Sequence, residues 1–396
     1  MRILLIEPLG NGGIAHYTYN LINALVKLGI EVSLFTSKRY EFENENKPFK
    51  VYNNMFYLSA YLIKRIPSID KQSKGFSLLR RLLKAIEYPF NVVQLAFILI
   101  SKKTKVAHIQ SVNLIELLMI IALRIINRRV VFTIHNVMPR HQRIRFYHKL
   151  LYRAMYSFCH EIIIHSIKGK EEVAELYRIN GNKIHVIPHG DYKFFMPKDQ
   201  ISKEEAKARL GISSDCKTIL FFGAIRENKG LKNILFALPS IKEKVYKVKL
   251  LIVGETWEDY RKYRKIIVEK DLQESVYEKL GYVANDEVPI YFFAADVVVL
   301  PYNEITQSGI LQIAYAFGKP VVATDLAGFR EALVEGRNGF LVPLGDLNEL
   351  SNKVIDILLN EDMAAKMGAF SLHLSNTRFG WDEIAQKTIA VYNLNR

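Results

Sequence analysis

Residues Val297–Pro343 read VVVLPYNEITQSGILQIAYAFGKPVVATDLAGFREALVEGRNGFLVP. Val297–Leu300 is a short, wholly apolar run, as expected of a strand buried on both faces. A polar loop follows from Pro301, and a helix is expected to begin near Ser308 or Gly309. Val321–Ala323 and Phe340–Val342 are again short apolar runs. Strands alternating with helices mean βαβ units and a parallel sheet.

The same alternation extends upstream. Thr218–Phe222, Lys249–Val253 and Tyr277–Leu280 are strand candidates with helical patterns between them. A break comes at Ile187–Lys203, where Pro188, His189-Gly190 and Pro197 interrupt regular structure. Before it, Ile3–Ile6, Glu31–Phe35, Val106–Ile109, Val130–Thr133 and Glu161–His165 form an earlier series. An amphipathic helix is expected from about His16 to Leu28. Lys38–Lys105 is less regular, and loops with one or two helices are expected there. Trp381–Asn393 has helical spacing and no strand after it. The chain thus reads as two doubly wound α/β domains, in keeping with its 396 residues. In open parallel sheets, ligands bind beyond the carboxyl ends of the strands. Two such domains facing each other are expected to hold a ligand in the cleft between them.

Composition narrows the partners. The net charge is +15, yet residues 1–200 hold 30 basic and 14 acidic residues, so the excess lies in the first half. Tyr61–Gln110 holds ten basic and two acidic residues. Such a surface suits nucleic acid, acidic lipid headgroups or phosphorylated acceptors. Cys159 and Cys216 have no metal or redox spacing, which favours a reducing compartment. The start, MRILLIEPLG, reads as a buried strand rather than a signal peptide. No run reaches the roughly 18 uninterrupted apolar residues of a spanning helix. Val92–Ile100 and Leu114–Ile126 read as buried helices, with an interfacial helix as the alternative.

Four motifs carry chemistry. Gly10-Asn11-Gly12-Gly13 follows the first strand, where glycines let backbone amides approach a phosphate; a plain tight turn explains it nearly as well. Phe221–Gly230 ends a strand at Gly223, carries Arg226 and Lys229, and opens a helix near Gly230. Two cations beside a helix N-terminus suit a diphosphate, the alternative being solvated surface cations. Pro301–Gln312 places Glu304 before the free amides of a helix start, with Gln312 one turn inside. There a carboxylate accepts bonds from sugar hydroxyls; an N-capped helix beside a solvated glutamate is the plainer reading. His135 ends a strand, where a lone histidine is more often structural. His141, His148, His160 and His165 are scattered and read as structural or surface residues. No metal cluster, Walker loop or GxSxG accompanies them.

With these residues in view, Pro301–Pro343 resembles the C-terminal signature of glycosyltransferase family 4, the retaining group with the GT-B fold. The resemblance covers the chain: Gly12-Gly13 is similar to the N-terminal glycine loop, Ile187-Pro188-His189-Gly190 to the linker and Phe222–Gly230 to the phosphate loop. Trp381–Asn393 resembles a final helix that crosses back to the first domain. It implies domains at 1–195 with 380–396, binding acceptor, and at 196–379, binding donor. Glu304 is the position that contacts donor-sugar hydroxyls. Gln312 stands where the family usually has a glutamate on the ribose. Lys229 matches the diphosphate lysine, and Arg226 is expected to replace the usual arginine at Ala224. Gln307, Ser308 and Gly309 replace a Phe-Gly-Leu run as donor amides. His135 matches a histidine near the reacting sugar, Gly13 a diphosphate contact, Val283 the base-binding loop, and His16 the acceptor side.

The implied activity is retaining transfer of a hexose-type sugar from a nucleotide diphosphate sugar to a saccharide or lipid-linked acceptor. Thr306-Gln307-Ser308-Gly309 with Gln312 resembles a sub-branch of polysaccharide and lipid-linked oligosaccharide transferases. No cofactor or metal is expected; the nucleotide sugar is a substrate. The cysteine usage suggests a cytoplasmic protein, and the basic first half suggests one peripheral on an anionic membrane. Nucleic acid is not expected, since charge alone suggests it. A sugar-nucleotide epimerase of the same fold and a catalytically impaired sugar-nucleotide-binding paralogue are the alternatives.

Overall fold

A computed structural model describes residues 1–38, 40–64, 74–111, 115–135, 137, 146–197, 199, 201–305 and 308–394. In chain order its elements are β1 (Arg2–Glu7), α1 (Gly12–Lys27), β2 (Glu31–Ser37), β3 (Lys50–Met55), α2 (Tyr57–Lys64), α3 (Lys74–Ser101), β4 (Val106–Ser111), α4 (Glu116–Ile125), β5 (Arg129–Ile134), α5 (Phe146–Phe158), β6 (Glu161–Ile164), α6 (Ile167–Tyr177) and β7 (Ile184–Val186). There follow α7 (Lys203–Arg209), β8 (Lys217–Phe222), α8 (Leu231–Lys244), β9 (Val248–Gly254), α9 (Arg261–Glu269), β10 (Val276–Leu280), α10 (Val288–Ala294), β11 (Val297–Leu300), α11 (Gly309–Ala316), β12 (Val321–Thr324), α12 (Ala327–Arg330), β13 (Gly339–Val342), α13 (Leu347–Leu359), α14 (Glu361–Asn376) and α15 (Trp381–Asn393).

These elements form two compact units. One comprises Met1–Pro188 with Trp381–Arg396, the other His189–Gly380. The boundary expected at 195/196 falls at 188/189 instead. The Asp191 amide donates to Phe379 O at 2.8 Å, and the Tyr192 ring lies against Gly309, so 189–195 packs with the second unit.

The first unit is a seven-stranded parallel sheet in the order β3-β2-β1-β4-β5-β6-β7. Its strands alternate faces. Leu4, Ile6, Ala107, Ile109, Phe132 and Ile134 pack beneath α3, α4 and α5. Ile3, Leu5, Val131 and Ile163 pack against α1 and α15, whose Ile384, Ala385 and Tyr392 are buried. Strands β3 and β7 fall outside the sequence reading. β3 is a half-polar edge, Lys50–Met55 with Asn53-Asn54, and β7 has three residues; edge strands carry a weak apolar signal.

The second unit is a six-stranded sheet, β10-β9-β8-β11-β12-β13, with every pairing parallel. One face packs on α8, α9 and α13 and the other on α7, α10, α11 and α14. Strand order reverses between β8 and β11 here, and between β1 and β4 in the first unit. These are the switch points where ligands bind in such sheets.

The irregular stretch holds two helices, α2 and α3, as expected, together with the edge strand β3. α3 runs 28 residues, and Val92–Ile100 within it is not a buried segment. Phe90 is 73% exposed, Val93 and Phe97 are each 70% exposed, and Ile86 is 67% exposed. Its buried side supplies Tyr88, Leu95, Ile98 and Leu99. Among the described residues, Leu82–Ser101 is one stretch long and apolar enough to cross a membrane by length and composition.

Candidate functional site

In the second unit, three strands end on glycines. Gly223 N–H donates to Val253 O, and Gly281 N–H to Gly254 O. A Cβ on Gly254 would sit 1.9 Å from Gly223 O. The loop after β8 closes still harder on β11. Gly230 has φ +66°, and a Cβ there would stand 1.8 Å from Pro301 O; only glycine fits.

That approach joins two sequence motifs. Asn303 N–H donates to Asn228 O at 3.0 Å, and its side-chain amide donates to Glu227 O at 3.0 Å. Asn233 donates to Pro301 O at 3.0 Å. Asn228 Nδ2 donates to Glu304 Oε1 at 3.3 Å. Arg226 and Lys229, beyond β8, therefore share one rim with Glu304, beyond β11. The Arg226 guanidinium lies 4.5 Å from the Trp257 ring centroid, and Lys229 Nζ lies 3.7 Å from that of Tyr302. Aromatic faces hold both cations in place.

α11 completes the rim. Ser308 is its N-cap, and the hydroxyl accepts from Leu311 N–H at 3.4 Å. Gly309 follows, with Tyr192 closed on it; a Cβ there would meet the Tyr192 hydroxyl at 3.0 Å. Gln312 is buried, and its Oε1 has no hydrogen-bond partner among the described residues. Asn228 Oδ1 is likewise buried without one. Orphaned buried acceptors are uncommon and call for a reason. Val283 lies past β10 and Gly281, half-buried against the apolar cluster. Gln307 lies outside the described residues. Among the described residues, no group of three or more His, Cys, Asp or Glu side chains is arranged to hold a metal.

In the first unit, Gly10–Gly13 leads from β1 into α1. Gly13 is exposed in the first turn of α1, with nothing within 4 Å of a Cβ placed there. The loop is held from beneath by Glu7, fully buried, whose carboxylate accepts from Leu9 N–H at 2.9 Å and Gly10 N–H at 2.7 Å. Burial pushes this carboxyl up to about 7, against the pull of those amides. His16 is buried and bonded to Glu41 at 3.1 Å. Burial lowers its pKa in spite of Glu41. Glu41 Oε2 also accepts from Gly12 N–H at 3.0 Å. His135 stands past β5, half-buried, between Gln110 and His165. The two units thus gather the expected residues into two groups: Arg226, Lys229, Glu304, Ser308, Gly309 and Gln312 in one, Gly13, His16 and His135 in the other.

Sequence reasoning missed Glu7, Glu41, Gln110, Trp257 and Tyr302, and left His165 among scattered histidines. A signal existed for Glu7, an acid closing a buried strand before a glycine loop.

Two family models match, one within each half of the chain: Glycosyltransferase Family 4 at residues 11–190, and Glycosyl transferases group 1 at residues 216–360. The chain belongs to these family 4-like glycosyltransferases. Curated relatives include a D-inositol 3-phosphate glycosyltransferase of Xylanimonas cellulosilytica, 28% identical over 56% of this chain and 55% of the relative. A phosphatidyl-myo-inositol mannosyltransferase of Mycobacterium leprae is 33% identical over 44% and 46%. The chain therefore spans about half the length of these relatives. Among solved structures, HepE of Anabaena in complex with UDP gives a TM-score of 0.72 at 17% identity, covering 99% of each chain. A glycosyltransferase of Rickettsia africae gives 0.73 at 20% identity, covering 100% of this chain and 99% of that one. These likenesses establish the GT-B-type fold.

Proposed function

We propose that the chain transfers a hexose-type sugar, with retention, from a nucleotide diphosphate sugar to a saccharide or lipid-linked acceptor in cell-surface glycan synthesis. One observation carries this reading: Arg226, Lys229 and Glu304 share one rim where the strand order of the second sheet reverses, with buried acceptors on Asn228 and Gln312 that have no partner among the described residues. The relatives' names and the UDP bound to HepE support a nucleotide-sugar donor.

In the proposed reaction the acceptor hydroxyl oxygen bonds to the anomeric carbon as that carbon's bond to the diphosphate breaks. The hydroxyl proton passes to the leaving diphosphate on the same face, which retains configuration. Arg226 and Lys229 neutralise the charge that develops, with the Ser308 and Gly309 amides assisting. Glu304 takes donor-sugar hydroxyls, and Gln312 takes a ribose hydroxyl as an uncharged acceptor. Val283 borders the base. Because two cations serve the diphosphate, activity is expected to survive chelation of metal.

The acceptor side of the proposal is the first unit, with Gly13 and His16 at its glycine loop. Its outward α3 residues, among the lysines and arginines of Tyr61–Gln110, favour peripheral attachment to an anionic cytoplasmic membrane face. Sedimentation with anionic but not neutral vesicles at low salt tests this; equal indifference to both would refute it.

The central test has two stages. A thermal-shift screen of nucleotide sugars should find a donor that raises the unfolding temperature. Product analysis with that donor should show transfer only when acceptor is present, lost on Glu304→Ala. Epimerised donor formed without acceptor would replace the proposal with an epimerase. Binding with neither transfer nor hydrolysis would make the chain an impaired paralogue.

A further inference from the structure

The first sheet carries a polar row on the face toward α1 and α15. His108 and Gln110 on β4 alternate with apolar neighbours, and so share one face. Thr133 and His135, at and past the end of β5, fall on the same face. Register continues the row: Thr133 pairs with Ile163 and Ile164 with Val186, so His165 and Ile187 follow at the next step.

The row is hydrogen-bonded throughout. Tyr392 OH meets His108 Nδ1 at 2.6 Å, and His108 Nε2 meets Thr133 Oγ1 at 2.7 Å and Gln110 Nε2 at 3.1 Å. Gln110 Oε1 meets His135 Nε2 at 2.7 Å. His135 Nδ1 meets His165 Nε2 at 3.3 Å, and His165 Nδ1 donates to Ile187 O at 3.0 Å. Both ring nitrogens of His135 are therefore engaged by protein. Tyr17 walls the pair, with ring centroids 5.0 Å from both imidazoles, and Trp381 closes on Tyr17 at 5.2 Å. Among the described residues, Tyr17 and His108 are titratable groups brought against this row from α1 and β4.

Gln110 Oε1 and Ile187 O only accept, so each needs a ring N–H facing it. The contact between the two rings needs one more. Three ring protons are required, and two neutral imidazoles carry two. With the Gln110 amide so oriented, the His135–His165 pair holds one positive charge. Turning the amide over presents its N–H to His135 and leaves the pair neutral.

We propose that Gln110 and His165 are positioning residues for His135: they hold both of its ring nitrogens, so the ring is a fixed element whose charge follows the Gln110 amide, and not a general base. This rests on the transferase reading insofar as it assigns His135 to the reacting sugar; the bonding itself does not. Long-range proton–nitrogen NMR of histidine-labelled protein is the test, with transfer kinetics beside it. The wild type should show His135 in one fixed protonation pattern. Gln110→Met should shift the His135 ring signals and lower kcat by about tenfold to a hundredfold, with donor KM within about twofold. Gln110→Glu, which keeps the acceptor, should keep the pair charged more than about one pH unit higher and restore part of kcat. Freely averaging His135 tautomers in the wild type, or His135 signals unmoved by both substitutions, would overturn the proposal. Absence of any transfer with the NMR pattern intact would instead count against the transferase reading.

Discussion

Gln312 buries a side-chain oxygen that no group among the described residues satisfies. Such an acceptor costs stability unless a bound molecule supplies a donor. Gln312→Leu removes it at similar volume. The unfolding midpoint without nucleotide is expected to hold or rise slightly, while nucleotide-sugar affinity falls about tenfold, the worth of one hydrogen bond. Unchanged affinity by calorimetry would remove Gln312 from the site. Glu116 is a second buried acid with a measurable signature. Tyr88 OH donates to it at 2.9 Å and Ser111 Oγ at 3.1 Å, yet burial pushes its pKa up to about 7. The folded protein thus holds its proton between about 4.5 and 7 where the unfolded chain does not, so this contribution is full below 4.5 and lost as pH rises through 7. In Glu116→Gln, hydroxyls can turn to meet the amide. The variant should match the wild type near pH 5 and gain on it by up to roughly 3 kcal/mol at pH 8. A denaturant series at both pH values checks the difference, which also cancels the opposite slope from His108, whose pKa burial lowers to about 3. At this scale legibility follows locality. Lys229 and Glu304 were readable because a strand end and a helix start lie within ten residues of each. Gln110 and His165 act across strands, through a register that spacing along the chain does not reveal.

Elements were readable at the centre of both sheets and at the second sheet's edges, β10 and β13, and unreadable at the first sheet's edges. The strands buried on both faces all stood out, while β3 and β7 did not. α3 shows a different limit. Its apolar residues repeat at helical spacing, which signals an amphipathic helix but not which apolar side meets protein. The structure divides them: Tyr88, Leu95 and Leu99 go inward, Phe90, Val93 and Phe97 outward. Outward residues contribute little to folding, so Phe90→Ser with Phe97→Ser should change unfolding free energy by less than about 0.5 kcal/mol. If α3 lies in a lipid interface, each lost phenylalanine removes about 1.5–3 kcal/mol of apolar transfer. Even half of that for the pair lowers vesicle partitioning at least tenfold. A drop of that size with unchanged stability supports the membrane reading. Equal partitioning would refer vesicle attachment to charge alone, and a wild-type dimer lost in the double variant would make the stripe a contact between copies.

The two units differ in how the chain builds them. The second is one continuous segment, His189–Gly380, whereas the first needs Trp381–Arg396 returned to it. α15 covers the same face as α1 and buries Ile384, Ala385, Thr388, Val391 and Tyr392. Without it, Tyr17 and the His108 end of the polar row lose a wall, and a buried histidine loses the Tyr392 hydroxyl. A fragment of residues 189–380 is therefore expected to unfold cooperatively on its own, because its sheet and both helical layers are complete. If the donor site is as proposed, it should also be stabilised by the nucleotide sugar that stabilises the whole chain. A chain ending at 380 should keep that transition while its first unit loses several kcal/mol, since Ile384 and Val391 of α15 are buried and each contributes about 1.5–3 kcal/mol. Hydrogen exchange with the ligand present and absent separates the outcomes. Protection retained across β1, β4 and β5 after truncation would show that α15 is dispensable. Failure of the fragment to respond to any nucleotide that binds the whole chain would move part of the donor site onto the first unit's residues.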